Sequence, residues 1–207
     1  TYYRWLMMRK RNEGMIKSFQ NTVPDLPDKV KTKDFNLIEN FDIDKWSSSV
    51  SGSSFYFNDY SEEEEIHHLD GQTIEEAEHQ IATRLYQNNA RVHFNQHIEK
   101  SGRFGKRIIY GGYIISLARA ISCNGLANTF KLAAIHSGKH SAPTFAGDTI
   151  YAWSKILEKE IIHKNVGAMM IRTLASKNDS KMNFPDKKNL TDNIVLDLEY
   201  SVLIPIK

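Results

Sequence analysis

The chain has 207 residues, of which 41% are hydrophobic and 25% are charged, and its net charge is +2 at pH 7. This composition excludes a disordered chain and a collagen, and it suffices for one buried core in one or at most two domains. The small net charge argues against nucleic acid as a partner, because proteins that bind nucleic acid concentrate positive charge on one face.

Apolar runs and cysteine content bear on the compartment. No apolar run reaches the roughly 20 residues that a bilayer-spanning helix needs, and no charged segment followed by an apolar one opens the chain, so we expect no membrane partner. The single cysteine, Cys123, cannot form an internal disulfide. Its setting in LARAISCNGL predicts a place in a helix interior rather than an exposed thiol. We therefore expect a soluble cytoplasmic protein.

The first segment, TYYRWLMMRKR, is rich in bulky residues and predicts a strand that is already under way. The spacing of its bulky residues matches that of the last predicted strand, EYSVLIPIK. We therefore predict an internal repeat, in which residues 1–11 are the closing strand of a preceding copy of the same domain.

Residues 12–58 differ in composition from what surrounds them. They contain Pro24, Pro27 and the polar tract SSSVSGSS, which are typical of an inter-domain linker. Trp46 and other apolar residues predict that part of this linker docks onto a neighbouring domain.

The pattern becomes regular from residue 59, where we place the start of a domain that runs to 207. EEEEIHHLDGQTI predicts a strand followed by a turn at Asp70-Gly71. Thr73 and Glu76 have the spacing of a capping box, which predicts the start of a helix. The face that this helix is predicted to bury consists of Ala77, Ile81, Ala82, Leu85 and Tyr86.

The run IIYGGYIISLARAISCNGL predicts a second helix that Gly111-Gly112 opens and Gly125 ends. Because this helix is apolar on nearly every face, it has to be covered on most sides. Strand-like runs follow at about 129–137, 148–162, 166–177 and 193–206. One buried helix followed by long antiparallel strands predicts an α+β hotdog fold, in which an antiparallel β-sheet wraps around a long buried helix.

Three segments carry a resemblance to a known family: ATRLYQNNARVHFNQH, the long run from RFGKRIIYGG to FAGDTIYAWSKIL, and VLDLEYSVLIP. They resemble the second half of the two-hotdog MaoC-like dehydratases that hydrate mesaconyl-CoA, also described as β-methylmalyl-CoA dehydratases. The resemblance covers residues 59–207 and fits 1–11 as the end of the first hotdog. It implies a C-terminal hotdog half whose partner is the preceding half or a second copy of itself.

The resemblance also implies a reaction, the reversible hydration of a branched C4-dicarboxylic enoyl-CoA thioester, with no cofactor besides the CoA of the substrate. Such a hydration needs a base for the water, an acid for the α-carbon and donors for the enolate oxygen. In related (R)-specific enoyl-CoA hydratases, an Asp-x-Asn-Pro-x-His-x-Asp motif supplies a carboxylate and an imidazole. Here Asn88 stands at the first aspartate, Arg91 at the proline and His93 at the histidine.

The start of the buried helix implies the third group, because Gly111 N–H would lie where free amides and the positive helix end favour an oxyanion. Further contacts to the substrate or to its CoA phosphates are predicted for charged and aromatic residues around this start. These residues are Arg91, Arg103, Lys106, Arg107, Tyr110 and Gly112.

The asparagine leaves two alternatives open. Its amide has no titratable proton near neutral pH, so Asn88 can orient a water or a carbonyl but cannot act as the base. Either His93 acts alone as acid and base, or the loop is an inactive copy and the working Asp/His pair lies in the preceding half. In the second case, this hotdog packs against an active half and supplies acyl-CoA-binding surface. A hotdog thioesterase is disfavoured, because the buried helix carries no carboxylate.

The remaining histidines give weaker signals. His79, His93 and His97 lack a carboxylate or cysteine at ligand spacing, so no metal site is expected. His136 and His140 are predicted to lie at the surface or at the rim of a pocket. In PTFAGD, Gly147 is predicted to be left-handed and Asp148 to cap a turn.

Overall fold

The computed structural model describes residues 25–36, 41–181, 183–185 and 190–207. The predicted closing strand at residues 1–11 and the first part of the linker lie outside the described residues. The strands are β1 (Glu65–Thr73), β2 (Lys131–Lys139), β3 (Thr149–His163), β4 (Val166–Lys177) and β5 (Ile194–Pro205). The helices are α1 (Ser48–Ser51), α2 (Glu76–Leu85), α3 (Gln96–Glu99) and α4 (Gly111–Leu126). Short 3-10 turns lie at Thr32–Asp34, Ile43–Lys45, Phe57–Asp59 and Arg91–His93.

The five strands form one antiparallel sheet in the order β1-β3-β4-β5-β2. The four strand-like runs of the sequence are confirmed to within two residues at every boundary. Their alternating and continuous apolar patterns bury the inner face of β3 and most of β4 and β5. In register across the centre, Ile156 faces Ile171 and Ile171 faces Tyr200, so the sheet presents a continuous apolar floor.

Helix α4 lies on this floor. Ile114, Leu117, Ala118 and Leu126 are buried in the main core together with residues of β3, β4 and β5. The regular helix stops where Gly125 adopts a φ of +107°, as the sequence predicted. A sheet curled around one long buried helix is the predicted hotdog arrangement. Among the described residues, no helix is long and apolar enough to cross a membrane.

Predictions about the first strand and helix of the domain were partly wrong. Thr73 does not cap α2; it ends β1, where its hydroxyl lies 2.9 Å from that of Thr149 on the paired strand β3. The helix instead starts after Glu75, whose side chain makes no capping bond. Asp70-Gly71 forms a bulge within β1 rather than a turn after it, and Asp70 has a φ of +71°.

The buried face of α2 also differs from the prediction. His79, Ala82 and Thr83 are buried, whereas Ile81, Leu85, Tyr86 and Ala77 are exposed. The reason is that the loops leading to α4 pack against the His79 side of the helix. An apolar stripe is therefore left facing outward. Cys123 on α4 is likewise exposed, contrary to the prediction of a helix interior.

The described part of the linker docks onto the domain. Phe41 stacks on Phe130 with ring centroids 4.8 Å apart, and Trp46 lies 5.5 Å from the same ring. The Trp46 indole N–H donates to the side-chain oxygen of Asn128 at 3.1 Å. The ring contacts and this hydrogen bond confirm the predicted docking of the tryptophan. The acceptor matters because a partly buried indole N–H needs a hydrogen-bond partner.

Candidate active site

Two loops converge on the start of α4. The segment between α2 and α4 is tied down by a bond from the Ile108 amide to the Val92 carbonyl at 3.2 Å. The loop between β2 and β3 is joined to the same place by a bond from the Ile109 amide to the Thr144 carbonyl at 2.9 Å. These two loop contacts bring His93 and His140, which are far apart in sequence, toward the same end of α4.

His93 ends the Arg91–His93 turn and is half-buried. Its Nδ1 lies 3.0 Å from the Ile108 carbonyl oxygen, which can only accept a hydrogen bond. Nδ1 therefore carries the hydrogen and Nε2 keeps its lone pair. Burial lowers the pKa of His93, although the bond to Ile108 and the charge of Glu99 oppose this shift. The imidazole is thus neutral near pH 7 and offers Nε2 as a proton acceptor.

His79 orients the helix start. It is 1% exposed, and its Nε2 accepts from the Tyr110 amide at 2.9 Å. Burial, and then the charges of His93 and Arg107, lower the pKa of His79 to about 4. A neutral imidazole with an unprotonated Nε2 is what this bond requires. The sequence considered His79 only as a metal ligand and did not reveal this role, because nothing local links residue 79 to residue 110.

The first amides of α4 are open. Tyr113 and Ile114 both donate to the Tyr110 carbonyl, whereas the Gly111 and Gly112 amides have no acceptor in the part of the chain that the structure describes. These amides form the positive end of the helix. A Cβ at Gly112 would lie 2.5 Å from the Tyr110 ring, and one at Gly111 would lie 2.7 Å from Nε2 of His140. Glycine is therefore needed at both positions for this packing.

Asn88 helps to build the turn that carries His93. Its side-chain oxygen accepts from the Ala90 backbone amide at 2.8 Å, and its backbone amide donates to the Thr83 carbonyl at 2.9 Å. The position that would hold a carboxylate in the related motif is thus engaged in local backbone contacts. A neutral amide there cannot take a proton from water.

The basic residues before α4 fall into two groups. Arg107 pairs with Glu76 and donates to the Phe94 carbonyl at 3.3 Å, so its guanidinium is already engaged. Arg103 lies over the ring of Phe104, 5.1 Å from its centroid, and the Lys106 ammonium lies 4.3 Å from the centroid of the Phe145 ring.

Among the described residues, Arg103 and Lys106 have no carboxylate partner. Arg91 is exposed at the start of its turn.

The other histidine predictions had mixed outcomes. His136 is half-buried rather than fully exposed: its Nδ1 accepts from the Val30 amide at 3.1 Å and its Nε2 lies 2.8 Å from the Ser201 hydroxyl. The docked linker covers it, which local sequence did not show. His140 is exposed, as predicted for a surface histidine. No cluster of three metal-ligating side chains is present in the described residues.

The predictions for the loop after His140 are confirmed. Gly147 has a φ of +92°, in the left-handed region that the sequence predicted. The Asp148 carboxylate accepts from the Phe145 amide at 2.9 Å, as a turn cap does.

The fold is that of the MaoC-like hotdog proteins. A crystal structure of a MaoC domain protein dehydratase from Chloroflexus aurantiacus superposes with a TM-score of 0.89 at 49% identity, over 96% of this chain and 58% of that one. A Mycobacterium tuberculosis protein with a double hotdog fold gives a TM-score of 0.56 at 24% identity, over 78% of this chain and 45% of that one, and supports the fold alone. No protein-family model matches the chain.

Two curated relatives extend the similarity to sequence. The chain is 50% identical to β-methylmalyl-CoA dehydratase of Chloroflexus aurantiacus, over 99% of this chain and 59% of the relative. It is 41% identical to mesaconyl-CoA hydratase of Cereibacter sphaeroides, over 99% of this chain and 60% of the relative. The chain thus spans about three fifths of the length of the curated relatives that it matches.

Proposed function

We propose that this chain is part of a hydro-lyase that reversibly hydrates a branched C4-dicarboxylic enoyl-CoA, mesaconyl-CoA, to β-methylmalyl-CoA. The names of the two relatives support the reaction and the substrate. The observation in the structure that carries the proposal is the helix start. The His93 ring, whose Nδ1 is held by the Ile108 carbonyl, lies 5.7 Å from the Tyr110 ring between centroids, and the next two amides, of Gly111 and Gly112, have no acceptor among the described residues.

The proposed reaction uses these groups in sequence. As the water oxygen bonds to the β-carbon, one water proton passes to Nε2 of His93. The electrons of the double bond move onto the thioester oxygen, which the Gly111 amide stabilises as an enolate. The His93 imidazolium then returns the proton to the α-carbon, so that the elements of water are added and His93 is neutral again. A proton-transfer group of this kind contributes about 10²–10⁴-fold, and an oxyanion donor about 10²–10³-fold.

The CoA portion of the substrate is proposed to run from this helix start toward Arg103 and Lys106. Both cations lie over aromatic rings and are not neutralised by a carboxylate among the described residues, which favours contact with phosphate. Arg107 is better suited to holding the loop, since Glu76 already pairs with it. Tyr110 and Gly112 line the path of the thioester, and Arg91 lies at its edge. No cofactor besides the CoA thioester takes part.

We further propose that the chain acts as the C-terminal half of a two-hotdog protein in the cytoplasm, with 1–11 as the last strand of the first half, 12–58 as the linker and 59–207 as the second hotdog. Exposed apolar side chains on α2 and in the segment that follows it support packing against that first half or against a second copy; they include Ile81, Leu85, Phe94 and Ile98. In the described part of the chain, the edge strands β1 and β2 each have one neighbour, which leaves their outer sides for pairing.

One observation favours a second function. Asn88 replaces the carboxylate and its side-chain oxygen is used by Ala90, which fits a non-catalytic hotdog that supplies acyl-CoA-binding surface to an active half. The two functions share a fold and differ in whether His93 takes part in proton transfer.

A hydratase assay with mesaconyl-CoA tests the proposal, with the intact mass of the same sample measured alongside. We expect turnover that His93→Gln lowers at least about 100-fold. His163→Gln, at the exposed last residue of β3, is the matched control. Turnover that survives His93→Gln in a sample heavier than 23.8 kDa would support the non-catalytic module, as would no turnover in a sample of that mass. No turnover in a heavier sample that contains the preceding half would contradict the hydratase function.

A further inference from the structure

The imidazole of His140 lies directly against the start of α4. His140 follows the last residue of β2, and its Nε2 is 2.7 Å from the position that a Cβ on Gly111 would occupy. Cδ2 and Cε1 are each 3.0 Å from the same position, so the tip of the ring points at Gly111. The absence of a side chain at Gly111 is what allows this approach.

The backbone around His140 indicates which ring nitrogen carries the hydrogen. The Val195 carbonyl accepts from the Ser141 amide at 3.3 Å, so it lies on the backbone side of His140. The Val195 backbone also raises the pKa of His140, as a hydrogen-bond acceptor does, and so opposes the effect of burial. Nδ1 is the ring nitrogen closer to the backbone, and a carbonyl can only accept, so the hydrogen resides on Nδ1. Nε2 therefore keeps its lone pair and directs it at the helix start.

The Nε2 atom is within reach of any group bound to the Gly111 amide. Because a Cβ lies about 2.5 Å from the backbone nitrogen, Nε2 is no more than about 5 Å from the Gly111 nitrogen. The open amides at this end of the helix favour the neutral imidazole over the cation. Burial also lowers the pKa of His140.

We propose that His140 is a second catalytic imidazole, which accepts a hydrogen bond from the attacking water and so takes the part that a carboxylate at position 88 would play. The inference rests on the proposed hydratase function. The water donates one O–H to Nε2 of His140 and gives its other proton to Nε2 of His93 as its oxygen bonds to the β-carbon. His93 then delivers that proton to the α-carbon, and both imidazoles are neutral at the end of the cycle.

The surroundings of the two histidines support these two roles, proton transfer by His93 and orientation of the water by His140. Nδ1 of His93 is held by the Ile108 carbonyl at 3.0 Å, and the Val195 backbone acts on the pKa of His140 as a hydrogen-bonding group. We infer that Nε2 of each ring is available to a water. The His93 ring centroid lies 5.7 Å from that of Tyr110, and His140 contacts the next residue, Gly111. Two acceptors can orient both hydrogens of one water, which a single imidazole cannot do.

The test compares His140→Gln and His140→Ala with the parent protein as isolated, using mesaconyl-CoA. We expect kcat to fall at least about 100-fold while KM changes less than about threefold, because the water rather than the thioester loses its contact. Added free imidazole should restore part of kcat to His140→Ala, and not to the His163→Ala control. Thermal unfolding of each variant shows whether the fold is intact.

Every outcome of this test either supports or overturns the proposed role of His140. Partial rescue by imidazole with an unchanged unfolding midpoint supports the catalytic role. A loss of kcat that imidazole does not restore, an effect confined to KM, or a kcat within about threefold of the parent would overturn it. If the parent hydrates mesaconyl-CoA and the His140 variants do so equally well, only this inference fails. If the parent itself does not, the proposed function fails with it.

Discussion

A histidine lies at each end of α4, but the ring nitrogens of the two histidines are used differently. Near the C-terminal end, His68 is 3% exposed; its Nδ1 lies 2.6 Å from the Asn124 carbonyl and its Nε2 lies 2.7 Å from the Ser154 hydroxyl. The chain of bonds continues from Ser154 to Thr173 at 2.7 Å and from Thr173 to Tyr200 at 2.9 Å. Both ring nitrogens of His68 are therefore occupied.

The direction of this chain follows from its first member. The Asn124 carbonyl can only accept, so Nδ1 of His68 carries the hydrogen and Ser154 donates to Nε2. Thr173 then donates to Ser154, and Tyr200 donates to Thr173. One polar group from each of β1, β3, β4 and β5 is satisfied in this way without water, which stabilises a specific register of the sheet.

At the other end, within the described residues, His93 has one occupied and one open nitrogen, and the amides of Gly111 and Gly112 have no acceptor. Burial lowers the pKa of His68 and of His93 alike. A lowered pKa therefore does not distinguish a structural histidine from a proposed catalytic histidine in this protein. What distinguishes the two ends is whether the polar groups have used all their hydrogen bonds.

The largest expected effect is that of His93→Gln on catalysis. Glutamine retains a side-chain amide that can donate to Ile108, but it cannot accept a proton, so kcat should fall about 10²–10⁴-fold. The free energy of unfolding should change by less than about 1 kcal/mol. Steady-state kinetics and urea denaturation of the same preparation measure both. A fall in the free energy of unfolding of about 2–4 kcal/mol, the size expected for His68→Leu, would remove the contrast between the two ends of α4.

His68→Leu should show the opposite profile. Removing the imidazole leaves the Ser154 hydroxyl and the Asn124 carbonyl without their partner in the interior, so the free energy of unfolding should fall by about 2–4 kcal/mol. Activity per folded molecule should stay within about twofold of the parent, because the hydrogen bonds that start at His68 do not reach the start of α4. The double variant with Ser154→Ala should lose less than the sum of the two single variants.

The pH dependence of stability should follow the buried histidines. The pKa of His79 is lowered to about 4, whereas an imidazole in the unfolded chain titrates near 6.5. Between these values the unfolded chain binds more protons than the folded one. The free energy of unfolding is therefore highest above pH 6.5 and falls as the pH drops toward 4. Urea denaturation at several pH values measures the slope, which His79→Gln should flatten and His163→Gln should not.

The smallest expected effect is that of Asn88→Asp. An aspartate can keep the bond from the Ala90 amide, so stability should be nearly unchanged. If the site works as proposed, the added carboxylate raises kcat/KM by up to about tenfold, measured with mesaconyl-CoA over a range of pH. No change in any kinetic parameter, together with an unaffected His93→Gln variant, would mean that the helix start is closed to substrate.

Local patterns predicted most of the architecture. The strands β2 to β5 and the helix α4 are near their predicted positions, because alternation, apolar runs and the Gly111-Gly112 and Gly125 signals are properties of short segments. The prediction failed where the local sequence was compatible with two different structures. Thr73 could have capped α2, but pairing with Thr149 across the sheet took it into β1.

The candidate site divides in the same way. By itself, the sequence determined the presence of His93 and Gly111, the replacement of a carboxylate by Asn88, and the glycine pair at the helix start. Only the tertiary structure decided that His79 holds the Tyr110 amide, that His140 points at Gly111, and that His136 lies beneath the linker. These contacts join residues 29 to 106 positions apart. No periodicity in a short window encodes them, because they arise when the sheet closes around the helix.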